Sequence, residues 1–232
     1  MQPDILIVVA ALDEADRISA TLAALALAFP GAPVWVADDG STDATPVLAR
    51  AAGAVVVRSE RVIGKGQAMS AGVRAALESV SEEEEEEEEA IVVLCDGDLA
   101  DSARELSALV DALRREHDAG LAVASFATRV GGGFGLALAF ARWAIRRRCG
   151  LSTRAPISGQ RALRAGVARD VLPFAPGFGM EIGMTIDAVR ANHRVVEVDL
   201  ALAHRATGRT PAGFLHRARQ LADFIRVYFA RG

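Results

Sequence analysis

The chain has 232 residues, 51% of them hydrophobic and 24% charged. This is the composition of a folded protein with one buried core, and it excludes a disordered chain. A net charge of −4 argues against nonspecific nucleic-acid binding and leaves nucleic acid out of the expected partners. The two cysteines, Cys95 and Cys149, have neither zinc-ligand nor disulfide spacing and point to the reducing cytoplasm.

Residues 4–10 form a continuous apolar run that predicts a strand buried on both faces. Asp13 is placed to cap a helix over about 14–29, which Phe29-Pro30-Gly31 ends. A second strand at 33–37, a short helix started by Ser41 or Asp43, a third strand at 55–57 and a helix over 66–79 follow. Residues 82–89 are eight consecutive glutamates, read as a solvated helix extension or loop. A fourth strand covers 90–95, and Ser102 with Glu105 has capping-box spacing for a helix over 103–116. A fifth strand is expected at 121–127. Strand and helix alternating in this way predict one α/β domain, with a Rossmann-like, mostly parallel sheet flanked by helices on both faces.

The second half is less regular. Gly131-Gly132-Gly133 and Gly135 mark a junction between a first half, 1–130, and a second half, 131–232. A basic amphipathic helix is expected over 136–148, a strand at 157–163, a helix over 180–191 and a half-exposed strand at 194–202. The last helix, 213–230, puts Phe214, Ala218, Leu221, Ile225 and Tyr228 on one stripe. That stripe suits docking on the core or on a second copy in a homodimer. The arginines at 142, 146, 147, 148 and 154 read either as a solvated face or as a site for an anionic acceptor, including a lipid phosphate at a membrane surface. No apolar run reaches the ~18 residues of a membrane span, so the expected protein is cytoplasmic, with peripheral membrane contact left open.

In open parallel sheets, ligands sit beyond the carboxyl ends of the strands. Asp13-Glu14, Asp38-Asp39 and Asp96-Gly97-Asp98 all fall at such ends. Asp96 and Asp98 point to the same side of an extended segment, and Gly97 between them lets a ligand come close. Two carboxylates so placed suit a hard cation that also binds phosphate oxygens, magnesium or manganese; the plain alternative is a turn with two solvated acids. Asp38 and Asp39 can accept hydrogen bonds from a ribose or base, with Gly40-Ser41 turning the chain into a helix. Gly64-Lys65-Gly66 lacks the glycine spacing of a Walker loop but sets one lysine before a helix. No Gly-x-Gly-x-x-Gly follows the first strand, which speaks against a dinucleotide oxidoreductase.

Taken together, the stretch from Val36 to Thr45, Gly64-Lys65-Gly66 with Gly72, and Asp96-Gly97-Asp98 resemble the family 2 glycosyltransferases of the GT-A fold, over most of residues 4–130. The resemblance implies that Asp38 and Asp39 contact the nucleoside, and that Asp96, Gly97 and Asp98 hold magnesium or manganese on the diphosphate of a nucleotide-sugar donor. The family's Pro-x-x-Asn-Glu is here Ala10-Ala11-Leu12-Asp13-Glu14, which places Ala11, Asp13 and Glu14 beside the base or ribose. Gly177 to Gly183 with Asp187, and Ala203-His204-Arg205, resemble glucosyl-3-phosphoglycerate synthases. That likeness implies His204 as a further metal ligand beside Asp96 and Asp98. Ser158-Gly159-Gln160-Arg161-Ala162 resembles the acceptor side of polyprenyl-phosphate sugar transferases and brings in Arg161. Lys65 or Arg205 would add positive charge at the leaving group. Glu181 is the expected catalytic acid-base group, a base in an inverting reaction and an orienting group in a retaining one. Competing readings are a nucleotidyltransferase, although the loop after the first strand is acidic where such an enzyme has a basic glycine-rich loop, and a non-catalytic nucleotide-sugar-binding protein.

Overall fold

The computed structural model describes residues 4–79, 90–126, 135–202 and 211–231, and for 126 and 211–219 the backbone alone. The glutamate run, Gly131-Gly132-Gly133, His204 and Arg205 lie outside the described residues.

In chain order the elements are β1 (Ile5–Ala11), α1 (Ile18–Ala28), β2 (Val34–Asp38), α2 (Thr45–Ala51), β3 (Val55–Arg58), α3 (Lys65–Leu77) and β4 (Ile91–Asp96). A 3-10 turn (Ala100–Leu106) leads into α4 (Ser107–Arg115), followed by β5 (Ala119–Phe126), α5 (Gly135–Cys149), β6 (Arg161–Arg164) and α6 (Ala165–Asp170). A second 3-10 turn (Gly177–Gly179) opens α7 (Met180–Arg190), and β7 (Arg194–Leu200) and α8 (Pro211–Ala230) close the chain.

The seven strands run in the order β3-β2-β1-β4-β6-β5-β7. All neighbours are parallel except β6, which is antiparallel to both β4 and β5. The apolar run of β1 is explained by burial on both faces. Ile7 and Val9 join Ile18, Leu22, Leu25, Leu109 and Leu113 on one side; Leu6 and Val8 join Met69, Val73, Met180 and Met184 on the other. Each such side chain contributes about 1.5–3 kcal/mol by leaving water. A smaller cluster ties α5, α7 and α8 together through Ala141, Ile145, Ile182, Ile186, Phe224 and Val227. No helix among the described residues is long and apolar enough to cross a membrane.

Four local expectations are corrected. Helix α1 begins at Ile18, and Asp13 does not cap it: Asp13 has φ +54° and turns its carboxylate to Thr42. Ser102 and Glu105 form no capping box, because the segment starts as a 3-10 turn in which the Ser102 hydroxyl donates to the Leu99 carbonyl. The strand expected at 157–163 shortens to Arg161–Arg164, since Ser158 and Gln160 point their side chains at one another and at the site. Among the described side chains of α8 the buried ones are Phe224 and Val227, whereas Ile225 is exposed, and Phe214 and Ala218 of the expected stripe lie outside the described side chains; the helix is turned so that Val227 lies over Gly179, where a Cβ would come within 2.1 Å of it.

Candidate active site

Parallel pairing brings the ends of β1, β2 and β4 to one rim. Ala11 is level with Asp38, and Ala10 with Asp96. The chain leaving each neighbour stays bonded to β1: the Asp39 amide donates to the Ala11 carbonyl and the Gly97 amide to the Ala10 carbonyl, both at 2.9 Å. The convergence expected from strand order is present.

The loops after β1 and β2 are zipped together. The Asp13 amide donates to Ser41 Oγ at 2.9 Å and the Glu14 amide to Thr45 Oγ1 at 2.8 Å. Asp13 Oδ1 accepts from the Thr42 amide at 2.7 Å, and Asp43 Oδ2 accepts from the Ala15 amide at 3.1 Å. The Thr45 hydroxyl, 2.5 Å from Asp43 Oδ1, is the main cause holding the Asp43 carboxyl below its ordinary range. Asp13 and Asp43 thus shape the loop pair, and Ala11 ends β1 beneath it.

Asp38 and Asp39 divide their tasks. Asp38 is fully buried; its Oδ1 accepts from the Ser41 amide at 3.1 Å. Its Oδ2 lies 3.1 Å from Arg58 Nε, an ion pair that is not aligned as a hydrogen bond, so this buried oxygen has no hydrogen-bond donor among the described residues. Asp39 instead takes the Ile63 amide at 2.7 Å and the Gly64 amide at 3.0 Å. It anchors the turn that presents Lys65.

Lys65 is the centre of the site. Its Nζ lies 2.7 Å from Asp96 Oδ1 and 2.8 Å from Glu181 Oε1. Burial alone favours the neutral amine, but the charges of Asp96 and Glu181 and their hydrogen bonds override it and hold the ammonium above the ordinary lysine value. Asp96 Oδ2 accepts from Gln160 Nε2 at 2.7 Å. Gly159 passes so close that a Cβ there would lie 2.7 Å from Lys65 Nζ and 2.8 Å from Asp96 Oδ2. Glu181 stands in the first turn of α7 and is buried. Beneath the rim, burial and then the charges of Asp96 and Asp98 push the Cys95 thiol well up, which removes it as a nucleophile at neutral pH.

Asp98 differs from the other acids. It is half-buried, and its carbonyl accepts from Arg17 Nη1 at 3.3 Å. Its carboxylate has no hydrogen bond or ion pair among the described residues. Gly97 owes its identity to packing: a Cβ would sit 3.0 Å from the Ala10 carbonyl oxygen and 3.3 Å from Ile18 Cδ1. Among the described residues no group of three metal-ligating side chains is assembled. Asp96 is engaged by Lys65 and Gln160, so Asp98 supplies the open oxygens; His204 lies outside the described residues.

Arg161 is fully buried. Its Nε donates to the Ser158 carbonyl at 2.8 Å and its Nη1 to Thr185 Oγ1 at 3.0 Å, while Nη2 has no hydrogen-bond partner among the described residues. Burial brings its pKa down to about 10 against the pull of Glu181 and Glu197. It forms the wall of the site rather than a surface open to ligand. Two contributors were missed in the sequence. Thr21 Oγ1 donates to the Gly97 carbonyl at 2.7 Å and accepts from the Ala100 amide at 2.8 Å, so α1 clamps both sides of the Asp96-Gly97-Asp98 turn. The available signal was a threonine within the buried face Ile18, Leu22, Leu25. The contact of Gln160 with Asp96 is the other; Gln160 lies just before β6, a strand whose place in the sheet is not evident locally.

An open α/β sheet with an acidic rim, a lysine between two carboxylates and an aspartate carboxylate that has no partner among the described residues is an arrangement of the Rossmann-like class. The comparisons name the family. The profile of glycosyl transferase family 2 matches residues 6–168, and the chain belongs to that family. It is a glycosyltransferase, which sets aside the nucleotidyl-transfer and non-catalytic alternatives. No curated protein matches the chain. Similar solved structures include glucosyl-3-phosphoglycerate synthase from Mycobacterium tuberculosis with phosphoglyceric acid, 28% identical at a TM-score of 0.78, covering 99% of this chain and 80% of that one. The same enzyme with Mn2+, UDP and glucosyl-3-phosphoglycerate is 27% identical at a TM-score of 0.78, covering 99% and 80%. With Mn2+, UDP-glucose and glycerol 3-phosphate it is 28% identical at a TM-score of 0.76, with the same coverage. The family match ends before Glu181; the structural likeness extends past it.

Proposed function

We propose that the chain transfers a glycosyl unit from a nucleoside-diphosphate sugar to a phosphorylated acceptor, with Mg2+ or Mn2+ held by Asp98 and completed by His204. The observation that carries the reading is the division of labour among the rim acids. Asp13, Asp39 and Asp96 are engaged by backbone amides, Lys65 or Gln160, and the Asp98 carboxylate stands without a partner among the described residues. Hard oxygen donors of this kind fit magnesium and manganese. When bound, such a cation offsets the negative charge that grows on the departing diphosphate. The solved synthases hold UDP or UDP-glucose with Mn2+ and phosphorylated acceptors, which supports the same classes of donor and acceptor here.

The chain's own residues have separable tasks in this reading. Asp38 Oδ2, ion-paired with Arg58 but without a hydrogen-bond donor among the described residues, receives one from the nucleoside, because a buried acceptor without one is costly. Lys65 fixes Asp96 and Glu181 relative to each other and adds positive charge beside the diphosphate. Glu181, positioned by its hydrogen bond from that ammonium, orients the acceptor hydroxyl. Arg205 serves the anionic side of donor or acceptor. Calorimetric titration of nucleoside diphosphates with and without Mn2+ tests the donor site, and metal-independent or absent binding across uridine and guanosine diphosphates rejects it. Product analysis with phosphoglycerate, glycerol 3-phosphate and a polyprenyl phosphate then assigns the acceptor; its anomeric configuration shows whether Glu181 also acts as a base.

A further inference from the structure

Helices α5 and α8 pack on each other and on α7, with Ala141, Ile145, Phe224 and Val227 facing inward. Their outward faces are unusual for a solvated pair. Leu136 is 85% exposed, Trp143 49% and Phe229 71%. The rings are already assembled: Phe140 lies 5.5 Å from Trp143, Trp143 lies 4.8 Å from Tyr228, and Tyr228 lies 5.3 Å from Phe229, centroid to centroid. An aromatic platform spanning two helices is a surface that isolated soluble chains seldom expose.

Its charge is equally one-sided. Helix α5 carries four arginines and no acidic residue. Arg146 and Arg147 are exposed, and the Arg148 guanidinium lies 3.9 Å above the Tyr228 ring. On the described part of α8 the one acid is Asp223, and it is already engaged by Arg226 and by the Phe178 amide. In a chain of net charge −4, this face is locally cationic.

These features select the occupant. A second copy meeting this face across a twofold axis would bring the same arginines together as water leaves, which is unfavourable. An anionic bilayer answers both halves of the pattern. Tryptophan, tyrosine and phenylalanine rings favour the boundary between headgroups and acyl chains, and guanidinium groups pair with lipid phosphates. We propose that the α5–α8 face docks on an anionic lipid bilayer, with Trp143 and Phe229 entering the interface and Arg146 and Arg147 meeting the headgroups. Through the Asp223–Phe178 bond, the docked face is continuous with the turn that begins the Glu181 helix.

The test is flotation of the full chain with phosphatidylcholine vesicles and with vesicles containing roughly 30% phosphatidylglycerol, together with tryptophan emission. The expected result is a preference of about tenfold or more for the anionic vesicles, falling as salt rises. Emission should shift to shorter wavelength on binding, and Trp143→Phe should remove the shift, because the other tryptophan, Trp35, is buried. The double change Trp143→Ala with Phe229→Ala should weaken binding by about tenfold. Arg146→Glu with Arg147→Glu, a second variant at solvated positions that keeps the test valid should the first misfold, should abolish the preference for anionic lipid. The proposal is overturned by absent flotation at low salt, by equal binding to neutral vesicles, by binding that both variants retain, or by a solution dimer that the aromatic substitutions dissolve.

Discussion

The two halves of the site are built on different chemistry. On the side from β1 to α4, the donor side in the proposed function, polar groups are met by backbone: Asp13, Asp39 and Asp43 all accept from amides of neighbouring loops. On the side from Ser158 to α7, the acceptor side in the proposed function, long side chains do the work, with Gln160 and Glu181 reaching Asp96 and Lys65 across the rim. Backbone-held acids set the shape of a pocket and tolerate little movement. Side-chain pairs set its charge, and a single substitution can reset it.

Replacing Asp98 by Ala breaks the comparison most severely. Its carboxylate has no partner among the described residues, so the change should reduce metal-dependent donor turnover by about a thousandfold or more while circular dichroism and melting remain those of the parent. Retained turnover would remove Asp98 from the metal site. Lys65→Met should follow, leaving Asp96 and Glu181 facing each other uncompensated. Loss of one member of such a partly buried pair costs about 3–5 kcal/mol, read as a lower denaturation midpoint, and activity should drop with it. If Lys65→Met melts like the parent, the lysine is not the electrostatic keystone of the two halves.

Thr21→Val sharpens the donor side alone. It removes the hydroxyl shared by the Gly97 carbonyl and the Ala100 amide, and should cost about 1–3 kcal/mol with a metal affinity lower than the parent's. The smallest effect is in pH. The ordinary lysine value is 10.5, and the folded value of Lys65 lies above it. Its contribution to stability is therefore fully present below 10.5 and is lost as pH rises from there through the folded value. The stability gap between parent and Lys65→Met should stay flat through the neutral range and shrink only in strong alkali. A gap that closes near neutrality would contradict the ion-pair geometry.

The same contrast explains what was legible in the sequence. β1, β2 and β4 announce themselves by apolar runs, and the acids at their ends follow from parallel pairing, so the acidic rim could be placed by local pattern. The start of α1 could not, because Asp13 answers to Thr42, 29 positions away. The Lys65–Glu181 bond joins residues 116 apart, and no spacing rule reports it. Glu181 and Lys65 were both singled out in the sequence, while their pairing came to light only with the fold. The α8 stripe was rotated for a similar reason: helical periodicity gives an apolar face, but the close approach of Val227 to Gly179 decides which edge of that face is buried.

The antiparallel strand β6 has a consequence for how the protein comes into being. It lies between β4 and β5, yet it is made after both and after α5. A nascent chain that has extruded β5 therefore holds two bare strand edges with their bridge still inside the ribosome, the geometry that invites pairing with other chains. Translation pausing in the stretch that encodes α5 would prolong that exposure, and a fragment ending at β5 would aggregate rather than persist as a free-standing nucleotide-binding unit.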